Sequence, residues 1–456
     1  MMEIQVLVLA AGKGTRMKSK HPKVIHRVCG LPMVSHVLRA AAEVSPNRPW
    51  VVVGFGAEEV KETVGDYPDY IIQEEQLGTG HAVMMAQERL RHLKDGNLLV
   101  LYGDTPLITA GTLRRMVEVH CAQNAAATVL TAILDQPFGY GRIIRNAAGE
   151  LAGIIEEKDA SAEEKNIREI NTGFYCFRIS ALLKVLPRLS PQNAQGEYYL
   201  TDVIKLLKAD GEKLATLVVE DNEEIIGPND RKALAEVEAI MRRRILEHWM
   251  LAGVTIADPA TTYIDPRVSI GQDTQILPGT ILEGETEIGA DCIIGPFTQL
   301  TSVKVGNGTR VSRSVLDHAS VGNDVQIGPF AYLRPGTVVE DNVKIGDFVE
   351  LKNAHIGTGS KVPHLSYLGD SLVGSGTNIG CGTITCNYDG KDKHQTVIGD
   401  RVFVGSNTNL VAPVVVGDEA TIGAGSTITK DVPAKSLAVA RSRQVVKENW
   451  LPRYRR

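Results

Sequence analysis

The sequence predicts two architectures in series: an α/β front half on a mostly parallel sheet, then an all-β parallel β-helix, joined by one long helix. Three observations predict this. Short aliphatic runs alternate with helically spaced segments up to about residue 230, an amphipathic stretch fills 232–252, and from residue 264 an aliphatic residue returns every six positions. Composition agrees. Of 456 residues, 43% are hydrophobic and 23% charged, which suits folded domains and excludes a predominantly disordered chain.

In the front half, Ile4–Leu9, Trp50–Val53, Leu98–Leu101 and Thr128–Ile133 are aliphatic runs expected as strands buried on both faces. Segments 34–44, 81–94 and 112–121 carry helical spacing. Ligands of such sheets sit beyond the carboxyl ends of the strands, so the residues just after a strand are the candidates for function. In 232–252, Leu234, Val237, Met241, Ile245 and Trp249 recur at helical intervals. Arg242, Arg243 and Arg244 between them are expected on an exposed helix face rather than in a phosphate site.

The back half repeats. Ile264, Ile270, Ile276, Leu282, Ile288 and Ile294 keep a period of six; after a few slips Val321, Ile327, Leu333, Val339, Ile345 and Leu351 resume it. Ile398, Val404, Leu410, Val416, Ile422 and Ile428 close the series. Period six is neither helix nor strand alternation; three six-residue faces make a coil of about 18 residues. Residues 264–433 then give about nine coils and a prism about 40 Å long at ~4.8 Å per coil. The 44 glycines suit its corners, and a 5% aromatic content suits its narrow core. Thr385–Thr396 abandons the rhythm and is expected as a loop lining a binding face. The expected divisions are 1–231, a helical linker 232–252, and 253–456.

Several classes are excluded. A net charge of −5 gives no general attraction to nucleic acid or to an anionic membrane. No apolar run approaches the ~20 residues of a membrane span, and the N-terminus lacks the basic region and cleavage site of a secretory signal. Cys29, Cys121, Cys176, Cys292, Cys381 and Cys386 form no CxxC and no finger spacing. A soluble, cytoplasmic protein with reduced thiols is expected.

The first chemical motif, LAAGKGTRM at Leu9–Met17, follows the first strand directly. Gly12 and Gly14 let backbone N–H groups approach a phosphate. The spacing is not that of a P-loop, and Met17 stands where a dinucleotide fingerprint has its third glycine. Arg16 and Lys23 add cations suited to a triphosphate.

This motif, with its following Pro-Lys, resembles the nucleotide-sugar pyrophosphorylases. Gln73, Gln76-Leu77-Gly78-Thr79-Gly80, Tyr102-Gly103-Asp104, Gly139-Tyr140-Gly141-Arg142, Glu156 and Asn171-Thr172-Gly173 continue the likeness in order. With the hexapeptide domain, nearly the whole chain resembles the bacterial bifunctional N-acetylglucosamine-1-phosphate uridylyltransferase / glucosamine-1-phosphate N-acetyltransferase family. The resemblance implies a Rossmann-like nucleotidyltransferase domain in front, a left-handed parallel β-helix of hexapeptide repeats behind, a homotrimer, and a product that feeds peptidoglycan and lipopolysaccharide synthesis. It implies that Leu9, Ala10, Ala11, Gly12, Gln73, Gly78 and Thr79 hold the uridine of UTP. Tyr102, Gly103, Gly141, Glu156 and Asn171 belong to the same binding set, the last three on the N-acetylglucosamine portion. Asp104 and Asn229 are the implied Mg²⁺ ligands: Asp104 ends a strand, where a carboxylate can hold the metal, while Asn229 could also cap the following helix. Arg16 and Lys23 would neutralise phosphate charge.

In the repeat domain KVPHLSYLGD carries His364, the implied base of acetyl transfer, in a slot expected to face outward. By the same resemblance Arg334 and Lys352 grip the sugar phosphate and Tyr367 and Asn378 contact the amino sugar. Cys381, Asn387, Tyr388, Ser406, Ala424 and Arg441 contact acetyl-CoA. Cys381 stands where many relatives carry alanine, and direct transfer is expected rather than an acetyl-cysteine. Of the basic end WLPRYRR, contact with the coenzyme's phosphates and a solvated tail are equal readings. Two other readings stand beside these. The solenoid could be an assembly module on a single-function nucleotidyltransferase, or a metalloenzyme using His355, His364 and His394.

Overall fold

The computed structural model describes residues 3–93 and 96–450. It divides into two compact units, Met1–Met241 and Arg242–Arg456.

The first unit is built on a nine-stranded sheet. In chain order its strands are β1 (Ile4–Leu9), β2 (Trp50–Val53), β3 (Asp69–Ile72), β4 (Asn97–Tyr102), β5 (Ala127–Ile133), β6 (Arg142–Arg145), β7 (Leu151–Ile155), β8 (Glu169–Arg178) and β9 (Leu214–Val218). Along the sheet they lie β9-β5-β8-β4-β1-β2-β3, with the β6–β7 hairpin attached to β8. The run IQVLVL suits β1 to the interior of the sheet, where all six of its residues are buried. It pairs in parallel with β4 and β2. The sheet is mixed: β8 runs antiparallel to both β4 and β5. The other four neighbour pairs on this path are parallel.

Helices Met33–Ala42 and Ala110–Gln123 match expectation closely, the latter capped by the Thr109 hydroxyl accepting from the Thr112 N–H. The helical spacing at 81–94 resolves differently. It gives two short helices, Thr79–Met84 and Gln87–Leu90, because Ala86 flattens to φ −84°, ψ −5° between them.

Helix Arg231–Leu251 carries the division between the units. Its first half buries Val237, with Leu234, Ile240 and Met241, against Val28, Met33 and Leu107 of the first unit. Its second half sends Leu246, Ile245 and Trp249 into the core of the second. Arg242 stacks 4.6 Å over the Tyr263 ring, so the arginine run is partly covered rather than wholly exposed.

The second unit is, among the described residues, a parallel β-helix of 26 strands, all but two of them only two or three residues long. One inward ladder runs Ile270, Ile288, Val305, Val321, Val339, Ile356, Val373, Ile398, Val416, each paired with the next coil. All nine are buried. The steps explain the slips in the hexad register: coils shorten to 16 or 17 residues by losing residues at corners, and one lengthens to 25 where Thr385–Thr396 leaves the wall. Interior threonines return their hydroxyls to corner carbonyls, as Thr280 to Leu277 and Thr337 to Arg334, both at 2.7 Å. Among the described residues no helix is long and apolar enough to cross a membrane.

Two candidate active sites

The first site is a cleft of about 480 Å³ beyond the carboxyl ends of β1 and β4. Its wall includes Leu9, Ala10, Ala11, Gly12, Arg16, Lys23, Gln73, Gly78, Thr79, Tyr102, Asp104 and Asn229. A Cβ at Gly12 would meet nothing within 4 Å, so this backbone faces open space. Gly14 is a glycine for another reason. It sits at φ +60°, and a Cβ there would lie 2.6 Å from the Lys23 Cβ. That bare backbone lets Lys23 lie against the loop.

Lys23 is buried, and its ammonium donates to Asp104 Oδ2 at 2.5 Å and to Asn229 Oδ1 at 3.0 Å. Arg16 Nη2 donates to the same Asn229 oxygen at 3.0 Å. A carboxylate and an amide oxygen thus converge where a cation already sits. Hard oxygen donors of this kind fit Mg²⁺, which is held by one or two protein oxygens and completed by substrate phosphates and water. Among the described residues no group of three His, Cys, Asp or Glu side chains could hold a metal unaided.

Gly103, Gly141, Glu156 and Asn171 are not on this wall; the last three gather behind Tyr102. The Gly173 backbone presses on the Tyr102 ring, leaving 2.6 Å for a Cβ. Asn171 donates to the Tyr175 hydroxyl at 2.7 Å, and its backbone N–H bonds Gly141 O. Glu156 accepts from Thr201 at 3.1 Å, and burial pushes its carboxyl above the ordinary range. Burial, aided by the nearby Glu156 charge, raises the Tyr102 phenol well above its usual value. Lys13, inside the glycine-turn motif, and Glu197, which no motif marks, also line the cleft.

The second site lies on the solenoid wall. Two long strands, Lys344–Ile356 and Lys361–Val373, pair through ten positions. This register stacks His364 on Asp347, and Lys352 under Gly369. Arg334 lies one coil below Lys352, following the Leu333–Leu351 pair, and donates to Glu350 at 2.9 Å. Gly369 has no side chain because the Tyr367 hydroxyl and Asn387 Nδ2 occupy its place; a Cβ would stand 2.4 and 2.8 Å from them. The inserted loop supplies Asn387 and Tyr388, and also Lys393, which sequence reasoning missed. Beside Lys352, Lys393 and then Arg334 hold its ammonium below the usual lysine range. Three cations therefore share one face.

The residues matched to coenzyme binding form a column along one edge. Gly382 N–H bonds Leu365 O, Asn407 bonds Cys381 O, and Gly425 bonds Ser406 O. These bonds carry the line from His364 through Cys381 and Ser406 to Ala424, one residue per coil. Arg441 follows, its side chain 3.9 Å from the Cβ position of Gly425. Asn378 lies on the wall three residues before Cys381, paired with Lys361 and Phe403. His355, His364 and His394 do not converge: each has its own carboxylate, Glu340 at 2.7 Å, Asp347 at 2.6 Å and Asp389 at 2.7 Å. Beyond Trp450, the basic tail lies outside the described residues.

A glycine-turned cleft on an α/β sheet and a cationic wall on a hexapeptide solenoid define a transferase with two centres. Residues 6–167 match the MobA-like NTP transferase domain, 267–302 the bacterial transferase hexapeptide (six repeats), and 315–416 the GMPPB C-terminal domain. The chain is 54% identical over 453 residues to "Bifunctional protein GlmU" of Geobacillus sp. (strain WCH70), covering 99% of this chain and 98% of that protein. It is 55% identical over 451 residues to the protein of that name from Caldanaerobacter subterraneus subsp. tengcongensis, with the same two coverages. A solved structure, a putative glucose-1-phosphate thymidylyltransferase from Bacillus anthracis in complex with a sucrose, aligns at a TM-score of 0.44 and 20% identity, covering 52% of this chain and 94% of that one. The chain belongs to the bifunctional GlmU family, and it is a bifunctional transferase, nucleotidyltransferase in front and acyltransferase behind.

Proposed function

We propose that the back unit acetylates glucosamine 1-phosphate with acetyl-CoA, and that the front unit transfers UMP from UTP to the resulting N-acetylglucosamine 1-phosphate, releasing pyrophosphate. What carries the reading is that one chain holds two clusters of different chemical purpose. One is a buried ammonium clamped by Asp104 and Asn229 at the mouth of a glycine turn. The other is an exposed imidazole in line with the coenzyme column.

In the front unit, the turn Leu9–Gly12 with Gln73, Gly78 and Thr79 takes the uridine. Gly141, Glu156 and Asn171 take the acetylated sugar. Asp104 and Asn229 hold Mg²⁺, which when bound supplies charge neutralisation between the nucleotide phosphates and the attacking sugar phosphate. Lys23 and Arg16 neutralise the remaining phosphate charge as a sugar-phosphate oxygen displaces pyrophosphate from the α-phosphorus. Positioning and electrostatics suffice, and no protein nucleophile takes part.

In the back unit, Arg334 and Lys352 bind the sugar phosphate, and Tyr367 and Asn378 hold the sugar. His364 accepts a proton as the amine attacks the thioester carbonyl, and the coenzyme leaves as its thiol. Cys381, Ser406, Ala424 and Arg441 line about 14 Å of edge, three coil steps of ~4.8 Å, a track suited to an elongated acyl carrier. Asn387 and Tyr388 flank it from the loop.

We further propose a homotrimer. Phe330, Phe348 and Leu365 stand on successive coils at one corner, each more than half exposed, with Phe297 two coils below beyond Arg313, and this apolar run is suited to cover by another copy. No disulfide joins the six cysteines, in keeping with a reducing cytoplasm. The test is an assay with glucosamine 1-phosphate, acetyl-CoA and UTP, omitting each in turn. Withholding acetyl-CoA should block the nucleotide sugar, and supplying N-acetylglucosamine 1-phosphate should restore it. UDP-N-acetylglucosamine formed from glucosamine 1-phosphate without acetyl-CoA would refute the scheme.

A further inference from the structure

The register of the two long strands puts a carboxylate directly beneath the proposed base. Asp347 and His364 are paired positions on Lys344–Ile356 and Lys361–Val373. Asp347 Oδ1 lies 2.6 Å from His364 Nδ1. The cause is local: Gly346 has no Cβ, which would otherwise fall 1.8 Å from Pro363 O, so the two strands close up at this corner. On the coil above stands Cys381, and among the described residues no further charged side chain bonds the ring.

We propose that Asp347 is a positioning residue for acetyl transfer: by accepting the Nδ1–H of His364 it fixes the tautomer and ring rotation that present the Nε2 lone pair to the amino group. The inference rests on His364 being the base. An imidazole has two nitrogens, and in the neutral ring only one can accept a proton. A histidine whose side chain is 58% exposed, and otherwise unpartnered, would divide its time between tautomers and rotamers. The carboxylate beneath it selects the useful arrangement, as a third group orients the base in nucleophile–base–orienter sets generally. Asp347 touches neither substrate in this scheme; it acts through the ring.

The test compares Asp347→Ala and Asp347→Asn in the full-length enzyme, with uridylyl transfer measured in the same preparations as the control for folding. Asp347→Ala should lower the acetyl-transfer kcat about 10- to 100-fold, as loss of an orienting partner typically does. KM for both substrates should hold within about threefold. Asp347→Asn still offers an oxygen at the same reach and should recover most of the rate. ¹⁵N spectra of His364 should show the Nδ1–H tautomer in the native enzyme and in Asp347→Asn, and a mixture in Asp347→Ala. In a His364→Ala background, Asp347→Ala should cost nothing more. An Asp347→Ala enzyme with native kcat would overturn the proposal. So would a loss that is wholly in KM, or one that persists undiminished without His364. If His364→Ala itself keeps full acetyl transfer, the base assignment fails first, and that outcome is distinct from all of these.

Discussion

At the scale of single residues, the two centres should be separable by mutation. His364→Ala removes the proposed base and should reduce acetyl transfer by about 10²–10⁴-fold, in the range ascribed to general base catalysis, while leaving uridylyl transfer intact. Asp104→Ala should do the reverse, abolishing metal-dependent uridylyl transfer and sparing acetylation. The two rates, measured on each variant, decide. A third residue, outside the lining of the front cleft, contributes to acid stability. His120 is buried, bonded to Thr128 at 2.9 Å and Asn97 at 3.2 Å. Burial first, and the Arg178 charge second, lower its pKa from 6.5 to about 4. The unfolded chain therefore binds the proton more readily, so stability is fully present above pH 6.5 and falls as pH drops toward 4. The loss is on the order of 3 kcal/mol. Denaturation midpoints of the front unit should fall across that window. His120→Asn should flatten the fall.

At the scale of elements, the sharpest expectation concerns Gly369 in strand Lys361–Val373. Gly369→Ala would place a methyl group 2.4 Å from the Tyr367 hydroxyl and 2.8 Å from Asn387 Nδ2, displacing both side chains from their places over the strand. KM for the amino-sugar phosphate should rise about tenfold or more while the coil itself stays folded, which steady-state kinetics and circular dichroism together would check. This is also the scale at which the sequence is most and least legible. The hexads were readable because each inward aliphatic repeats a single environment, and β1 because six buried residues run without interruption. The β6–β7 hairpin and the antiparallel β8 were not singled out: LAGII in β7 is only partly buried, and strand direction leaves no mark in composition. Asp104 and His364 were readable from a strand end and a motif. Lys393, Glu197 and Thr201 were not, because each reaches its site from a loop whose path is fixed by tertiary contacts. Asp347 belongs with them: its role exists only in the register between two coils.

At the scale of the whole molecule, two activities on one chain raise the question of where it can be cut. The composition change near residue 231 suggests ending the front unit there, yet the structure assigns ten further residues to it. Val237 is fully buried, and Leu234, Ile240 and Met241 pack with it over Val28, Met33 and Leu107. Cutting at 231 would strip that cover from a cluster lying on the loop just after Lys23. Burial of one aliphatic side chain is worth about 1.5–3 kcal/mol, so losing Val237 and part of three others should cost several kcal/mol. A fragment of 1–241 should therefore melt well above 1–231, and both should make UDP-N-acetylglucosamine from the acetylated sugar phosphate while lacking acetyl transfer. Thermal melts and uridylyl-transfer rates of the two fragments give the answer. Equal stabilities would mean that the first half of the helix adds nothing to the front unit, and a folded 1–241 fragment without uridylyl transfer would mean that its active site needs residues from the solenoid.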